Sequence, residues 1–299
     1  MGRMLRLLAV VGLVAVGVQA HSARQIGVRD AWSLPRLDGQ RDDSAWRRAV
    51  RLDCSPDGPG LSTNQLLESA AEPAGEAGTA ADLAADLRLT WDSQGLYVLA
   101  EVRDNVRDVS GTGEATYWWE RDGISLYLDL DNADDPSAPY TALNIVNVAA
   151  VSRSGRPDAV TLEYTAGGGR AATQEAGDLQ GIDYAYRDAG TEFGGKADYA
   201  LEVKIPWETL TRFNLSAVPS VGTVMGLSAL IVDPDGDEGF GGQIQCWGMA
   251  DEPVTYADMV FKGLVRSARA AGGAGPVAKP VAQEANSWAR IKAALVDWP

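Results

Sequence analysis

Histidine is all but missing from this 299-residue chain, with His21 the only one. Cleavage after Ala20 makes His21 the new N-terminus, the arrangement of copper sites that oxidise polysaccharides. Such a site needs a second histidine, and none exists. Haem held by Met with His or Lys is left with Met249 and Lys262, which no pattern ties together. Basic residues are also scarce, 26 against 41 acidic, and nowhere clustered. A surface of that sign repels phosphate backbones and anionic lipid, which argues against nucleic acid as a partner. No motif sets two carboxylates across a cleft, as hydrolysis of a glycosidic bond requires, and no internal repeat is visible.

Long apolar runs are absent beyond one. Residues 1–20 carry Arg3 and Arg6, an apolar stretch from Leu7 to Val18, and Val18-Gln19-Ala20 as a small-residue cleavage site, which reads as a secretory signal peptide. The stretch is short for a membrane span. The expectation is an exported chain, periplasmic, cell-surface or extracellular, with no membrane association after cleavage. Loss of the leader leaves 24 basic and 41 acidic residues, a formal charge of −17. Cysteine is limited to Cys54 and Cys246. In an oxidising compartment the two can pair and close a very long loop, on the order of 4–5 kcal/mol in the chain-entropy model; the alternative is two buried, unlinked thiols.

What the chain has is alternation. Leu87 to Asp104 (LRLTWDSQGLYVLAEVRD) and Trp118 to Asn132 (WWERDGISLYLDLDN) switch between apolar and polar residues with a period of two. In the second, Ile124, Leu126, Leu128 and Leu130 share one face, and Ser125, Tyr127, Asp129 and Asp131 the other, as in a strand with one buried side. Trp91-Asp92-Ser93-Gln94-Gly95 is a polar, Gly-ended connection that predicts a hairpin. Further strands are predicted in Tyr140 to Val151, Ala159 to Thr165, Ile182 to Arg187, Asp198 to Ile205 and Thr223 to Asp233. The fold class is therefore all-β, an antiparallel β-sandwich of jelly-roll type with long loops and a short C-terminal helix.

Domain boundaries follow from composition. Residues 21–30 read as a lead-in, 31–265 as the sandwich, and 53–85, rich in Ala, Gly, Glu, Pro and Ser, as a poorly packed insertion loop within it. Residues 266–285 (Ala, Gly, Pro) read as a linker. Residues 286–299 place Trp288, Ile291, Leu295 and Trp298 at helical spacing, a short amphipathic helix able to dock on another protein.

The Trp-Asp-x-x-x-Leu-Tyr-Val hairpin from Trp91, followed by Trp-Glu-x-Asp from Trp119, resembles carbohydrate-binding module family 9, the β-sandwich modules often attached to xylanases. Leu37-Asp38-Gly39 with Asp42-Asp43-Ser44-Ala45-Trp46 is similar to that family's opening segment. Tyr199 to Trp207 (YALEVKIPW) is similar to its late strand and helical turn, and Val221 to Asp233 with Phe261-Lys262-Gly263 to its last strands. The resemblance implies a non-catalytic module that binds xylan- or cellulose-type polysaccharide or oligosaccharide, accessory to glycoside hydrolases.

Sugars offer hydroxyls at the edge and C–H bonds on the face, so their sites combine flat rings with a few polar groups. By resemblance the free ring is Trp119, with Tyr256 as a second wall. Trp118 and Trp119, adjacent in a segment read as extended, point to opposite sides. The family's carboxylate falls at Ser125 and its arginine near Asn144; Asn144, Glu120 and Gln245 are the nearest polar replacements. That loss of charge favours the second reading, a structural or interaction sandwich with a decayed sugar site. Trp46, Trp91, Trp207 and Trp247 lie in apolar surroundings and read as core. Asp233, Asp235 and Asp237 form one acidic cluster, and Asp129 and Asp131 belong to another. Each supplies hard oxygen ligands suited to structural calcium, which the resemblance also implies; solvated turns are the alternative.

Overall fold

The computed structural model describes residues 24–56, 65–67, 79–108, 118–133, 145–151, 160–165, 170–176, 181–212, 215–235, 242–250 and 252–263. They form two facing sheets. The smaller contains β2 (Val50–Cys54), β4 (Leu83–Trp91), β5 (Gly95–Asp104), β10 (Asp183–Gly190) and β11 (Asp198–Pro206), in the order β10-β11-β5-β4-β2. The larger contains β1 (Gln25–Arg29), β3 (Gln65–Leu67), β6 (Gly123–Asp129), β7 (Ile145–Val151), β8 (Val160–Thr165), β9 (Arg170–Ala176), β12 (Val224–Asp233), β13 (Gly242–Cys246) and β14 (Ala257–Lys262). Its path runs β1-β14-β12-β6-β7-β8-β9, with β13 beside the other half of β12 and β3 beyond β13. One six-residue helix, α1 (Trp207–Arg212), follows β11.

The alternation read from the sequence sets the core. Leu87, Leu89, Leu96, Val98, Ala100 and Val102 from the smaller sheet face Ile124, Leu126, Leu128, Val146, Val148, Leu227 and Ile231 from the larger, all buried. Removing this apolar surface from water is the main stabilising term, roughly 25 cal/mol per Å². Trp46, Trp91 and Trp207 are buried as expected, while Trp247 is only partly buried against the core.

The quoted motifs meet in space. Asp92 accepts hydrogen bonds from the Gln94 N–H at 2.7 Å and the Gly95 N–H at 3.2 Å, a side-chain turn that joins β4 to β5. The Trp207 indole donates to the Asp92 carbonyl at 2.7 Å. A Cβ at Gly95 would stand 2.5 Å from the Ile205 carbonyl oxygen, so the close approach of β11 requires glycine there. Phe261 packs edge-on against both Trp91 and Trp207, with ring centroids 5.1 and 5.6 Å apart.

The opening segment is held by one carboxylate. Glu202, fully buried on the outer side of β11, accepts from the Asp38 N–H at 2.5 Å, the Gly39 N–H at 2.7 Å and the Trp46 indole at 2.8 Å. Gly39 has φ +74°, and a Cβ there would meet the Arg187 Cβ at 2.6 Å.

Several boundaries differ from the sequence reading. The lead-in contains β1, which pairs in parallel with β14, so the sandwich is not wholly antiparallel. The 53–85 insertion holds β3 and both strand ends at Cys54 and Leu83. Trp118–Glu120 is a 3-10 turn rather than extended chain. The linker and tail helix lie outside the described residues.

Both outer strands of the smaller sheet are bonded to the larger. Cys54 of β2 and Cys246 of β13 form a disulfide, with Cα atoms 5.7 Å apart and a sequence separation of 192. On the opposite edge the Tyr184 hydroxyl of β10 donates to the Val151 carbonyl of β7. Reduction of the disulfide is expected to lower unfolding free energy by up to about 5 kcal/mol for so long a loop. Denaturant midpoints with and without reductant, alongside a free-thiol count in non-reducing denaturant, measure this.

Candidate functional site

The outer face of the larger sheet is unusual because it is buried yet partly polar. Gln245, Leu230, Ser125 and Ala149 stand in one row across four strands, and Ser228, Tyr127 and Asn147 in the next. Ser125 donates to the Asn147 side-chain oxygen. Ser228 Oγ and Gln243 Oε1 are buried without a hydrogen-bond partner. The chain between β13 and β14 leaves the sheet at Trp247, whose φ is +66°, and returns when the Ala257 N–H bonds to the Trp247 carbonyl at 2.8 Å. This excursion carries Ala250 and Tyr256 onto the outer face, where they pack with Trp118, Tyr127, Ile145 and Leu230.

Trp119 lies at the margin of that cluster. The 3-10 turn buries Trp118 and leaves Trp119 half-exposed, the two indoles meeting edge to face at 5.4 Å. Glu120, beside it, is also half-exposed. A partly buried ring braced edge-on by its neighbour is the kind of flat surface on which the C–H face of a sugar can stack.

A second constellation occupies one end of the sandwich. The inward row of β5 (Leu96, Val98, Ala100, Val102) continues to Asp104, that of β12 (Leu227, Ala229, Ile231) to Asp233, and Asp122 precedes the inward Ile124 of β6. Antiparallel pairing of β6 with β12 brings Asp122 beside Asp233, and the facing of the two sheets brings Asp104 to them. Ligand oxygens of Asp104, Asp122 and Asp233 lie within 4.8 Å of one another, as do those of Asp82, Asp233 and Asp235, and all five side chains are buried.

Burial of so much negative charge shifts its protonation. Desolvation pushes the Asp104 carboxyl up to about 8, with Asp235 and Asp82 adding repulsion. Asp122 and Asp233 are raised well above the carboxylate range, first by desolvation and then by each other's neighbours, Asp104 foremost. Asp104 Oδ2, Asp122 Oδ1 and Asp233 Oδ1 are buried without hydrogen-bond partners. The Tyr199 hydroxyl shares that condition and is held protonated by desolvation and the same three acids.

Residues 61–153 match a family model described as carbohydrate family 9 binding domain-like. A carbohydrate-binding module family 9 structure from Caldicellulosiruptor kristjanssonii in complex with cellotriose aligns with 85% of this chain and 100% of its own, at 18% identity and a TM-score of 0.53. A second structure of such a module from that organism, in complex with glucose, aligns with 81% of this chain and 98% of its own, at 16% identity and a TM-score of 0.51. The chain has the carbohydrate-binding module family 9 fold. The family model thus makes the recognition that the residues made. No curated protein matches the chain.

Within the family 9 fold, the expected sugar residues are only partly assembled. Trp119 and Tyr256 join one cluster, but Tyr256 is 1% exposed and its hydroxyl donates to the Ala250 carbonyl, so it braces the face rather than forming an open wall. Ser125 is fully buried, and Gln245 spends its side-chain oxygen on the Ala250 N–H at 2.7 Å. Asn144 lies outside the described residues. Asn147, which the sequence reading did not single out, is the polar partner of Ser125; a lone Asn within Ile145-Val-Asn-Val was its signal.

The expected acids divide similarly. Asp233 and Asp235 enter the end cluster, and Asp237 lies outside the described residues. Asp129 is buried on the outer face and Asp131 exposed, and neither belongs to a group of three convergent ligands among the described residues. Asp82, Asp104 and Asp122 complete the cluster from other strands and were not anticipated.

The sign of the pH dependence follows. Asp104, Asp122 and Asp233 have folded values above their unfolded one, so the folded state holds protons that the unfolded chain has released. In chelator, stability is expected to rise as pH falls from about 8 towards 5, and Asp122→Asn to flatten that rise. Thermal melts at pH 8 and 5.5 by circular dichroism decide it.

Proposed function

We propose that the chain is an exported, non-catalytic binding protein for neutral polysaccharide or oligosaccharide of the cellulose or xylan type, accessory to glycoside hydrolases. The half-exposed Trp119, braced edge-on by Trp118, carries the reading. Glu120, the next residue of the same turn, is the nominated polar group for sugar hydroxyls. Ser125, Asn147, Gln245 and Tyr256 act from beneath by fixing the face on which Trp119 rests. The solved modules of the same fold in complex with cellotriose and glucose support the sugar class. The leader-like residues 1–20 support export, and among the described residues no helix is long and apolar enough to cross a membrane.

The end cluster fits a structural calcium ion. Its buried carboxylate oxygens without hydrogen-bond partners are the hard ligands this cation selects, and a divalent charge offsets their mutual repulsion. Asp104, Asp122 and Asp233 would hold it, with Asp82 and Asp235 beside them.

A second reading has its own observation. Tyr256 and Ser125 are closed to solvent, which favours a structural or interaction sandwich whose sugar site has decayed.

Two measurements test these assignments. Trp119→Ala is expected to weaken cello- or xylo-oligosaccharide binding at least tenfold in calorimetry while leaving the melting temperature within about 2 °C, since a half-exposed ring contributes little to the core. Unchanged affinity, or no sugar binding by the wild type at millimolar concentration, would move the assignment to the structural reading. Calcium is expected to raise the melting temperature at pH 8 and far less at pH 5.5, where protons compete for the same oxygens. No rise at pH 8, or a rise that persists in Asp233→Asn, would remove calcium from this cluster.

A further inference from the structure

The outer face of the smaller sheet carries a groove that the Trp119 surface does not use. Asp53, Asp86 and Glu101 stand side by side across β2, β4 and β5 in one row. Three like charges at strand spacing repel, and arginines reach over the row from both sides. Arg51 contacts Asp86 at 2.6 Å, and Arg41, from the segment pinned by Glu202, contacts Glu101 at 2.8 Å. Arg103 is fixed by donating Nε to the Phe193 carbonyl and Nη1 to the Ala80 carbonyl, each at 2.9 Å. Together with Phe193 these side chains enclose about 380 Å³.

Stability does not explain the arrangement. Arg41 and Arg51 are 52% and 61% exposed, and pairs of that kind contribute about 0–1 kcal/mol. Glu101, in contrast, is only 8% exposed, and burial raises its pKa despite Arg41. The fold thus keeps a costly carboxylate on the floor of an open hollow.

The chemistry of the lining selects a ligand. The lining itself carries three guanidinium groups and three carboxylates, with Arg88 a further cation 3.5 Å from Asp86, so neither sign dominates the hollow. Donors and acceptors alternate at close spacing, which suits vicinal hydroxyls, each able to donate to a carboxylate and accept from a guanidinium. Phe193, half-buried at the rim, supplies an apolar wall. The volume lies within the roughly 300–1,000 Å³ usual for small-molecule sites. We propose that this groove is a second binding site, for a neutral sugar ring, on the sheet opposite Trp119. A protein with sites on both sheets can bridge two glycan chains.

The proposal stands apart from the Trp119 site and is tested in its absence. Saturation-transfer NMR on the full chain carrying Trp119→Ala, with glucose, galactose, mannose, xylose, arabinose and cellotriose as probes, is expected to show binding of at least one. Adding Arg41→Ala or Glu101→Gln should weaken that binding at least tenfold without altering the circular dichroism melt. Arg41 is half-exposed, so its variant keeps the test valid if Glu101→Gln does not fold. Absence of transfer from every probe overturns the groove and leaves the Trp119 assignment standing. Transfer that survives both groove substitutions, or binding of glucuronate in place of neutral sugars, also overturns it.

Discussion

Three inward-facing rows of this sandwich end in a carboxylate, and the rest of the molecule is arranged around that constraint. Asp104, Asp122 and Asp233 occupy positions where the period-two pattern calls for an apolar side chain. Charges so placed are tolerated only with protons or a cation, because burial and mutual repulsion act in the same direction. The surrounding chain is recruited to the same end. Asp104 accepts the Val106 N–H at 2.8 Å, Asp122 accepts the Asp108 N–H at 2.5 Å, and Asp198 ties the Phe193 and Gly195 N–H groups beside them. The loops at this end therefore take their shape from anionic side chains rather than from apolar packing.

Both sheets show a second use of polar burial. On the larger, Ser125 and Asn147 pair beneath a lid formed by Trp118, Ala250 and Tyr256. On the smaller, Glu202 collects three donors from the opening segment. Burial lifts Glu202 to about 7 against the lowering effect of those hydrogen bonds, so its proton uptake adds to that of the end cluster. In each case an orderly antiparallel face positions an irregular segment through a few directional bonds.

What could be read from the chain was what depends on neighbours in sequence. The β4–β5 hairpin is encoded by alternation on both sides of an Asx turn at Asp92, and β6 and β12 by their apolar rows. β1 and β13 escaped notice because five-residue strands with polar outward positions, Gln25-Ile-Gly-Val-Arg29 and Gly242-Gln-Ile-Gln-Cys246, carry too few residues to establish a period. Trp118 is buried and Trp119 partly buried, and the 3-10 turn rather than the expected strand alternation sets them apart. The acid cluster was half legible. Asp233 and Asp235 stand close in sequence, whereas Asp122 is joined to them by the pairing of β6 with β12, and Asp82 and Asp104 only by the facing of the two sheets. For Asp104 and Asp122 the signal was an Asp extending an otherwise apolar row, whereas Asp82 is out of phase with the inward row of β4.

The links between the sheets differ in kind. A covalent bond secures β2 to β13, a phenolic hydrogen bond secures β10 to β7, and Thr90 and Trp91 of β4 donate to the Arg29 and Val28 carbonyls of β1 at 2.8 and 3.1 Å. A reductant therefore acts on one margin alone. The sandwich would loosen first along the β2–β13 side, while the Tyr184, Thr90 and Trp91 hydrogen bonds still tie the sheets. The first surfaces admitted to water would be the inner faces near Leu52 and Ile244.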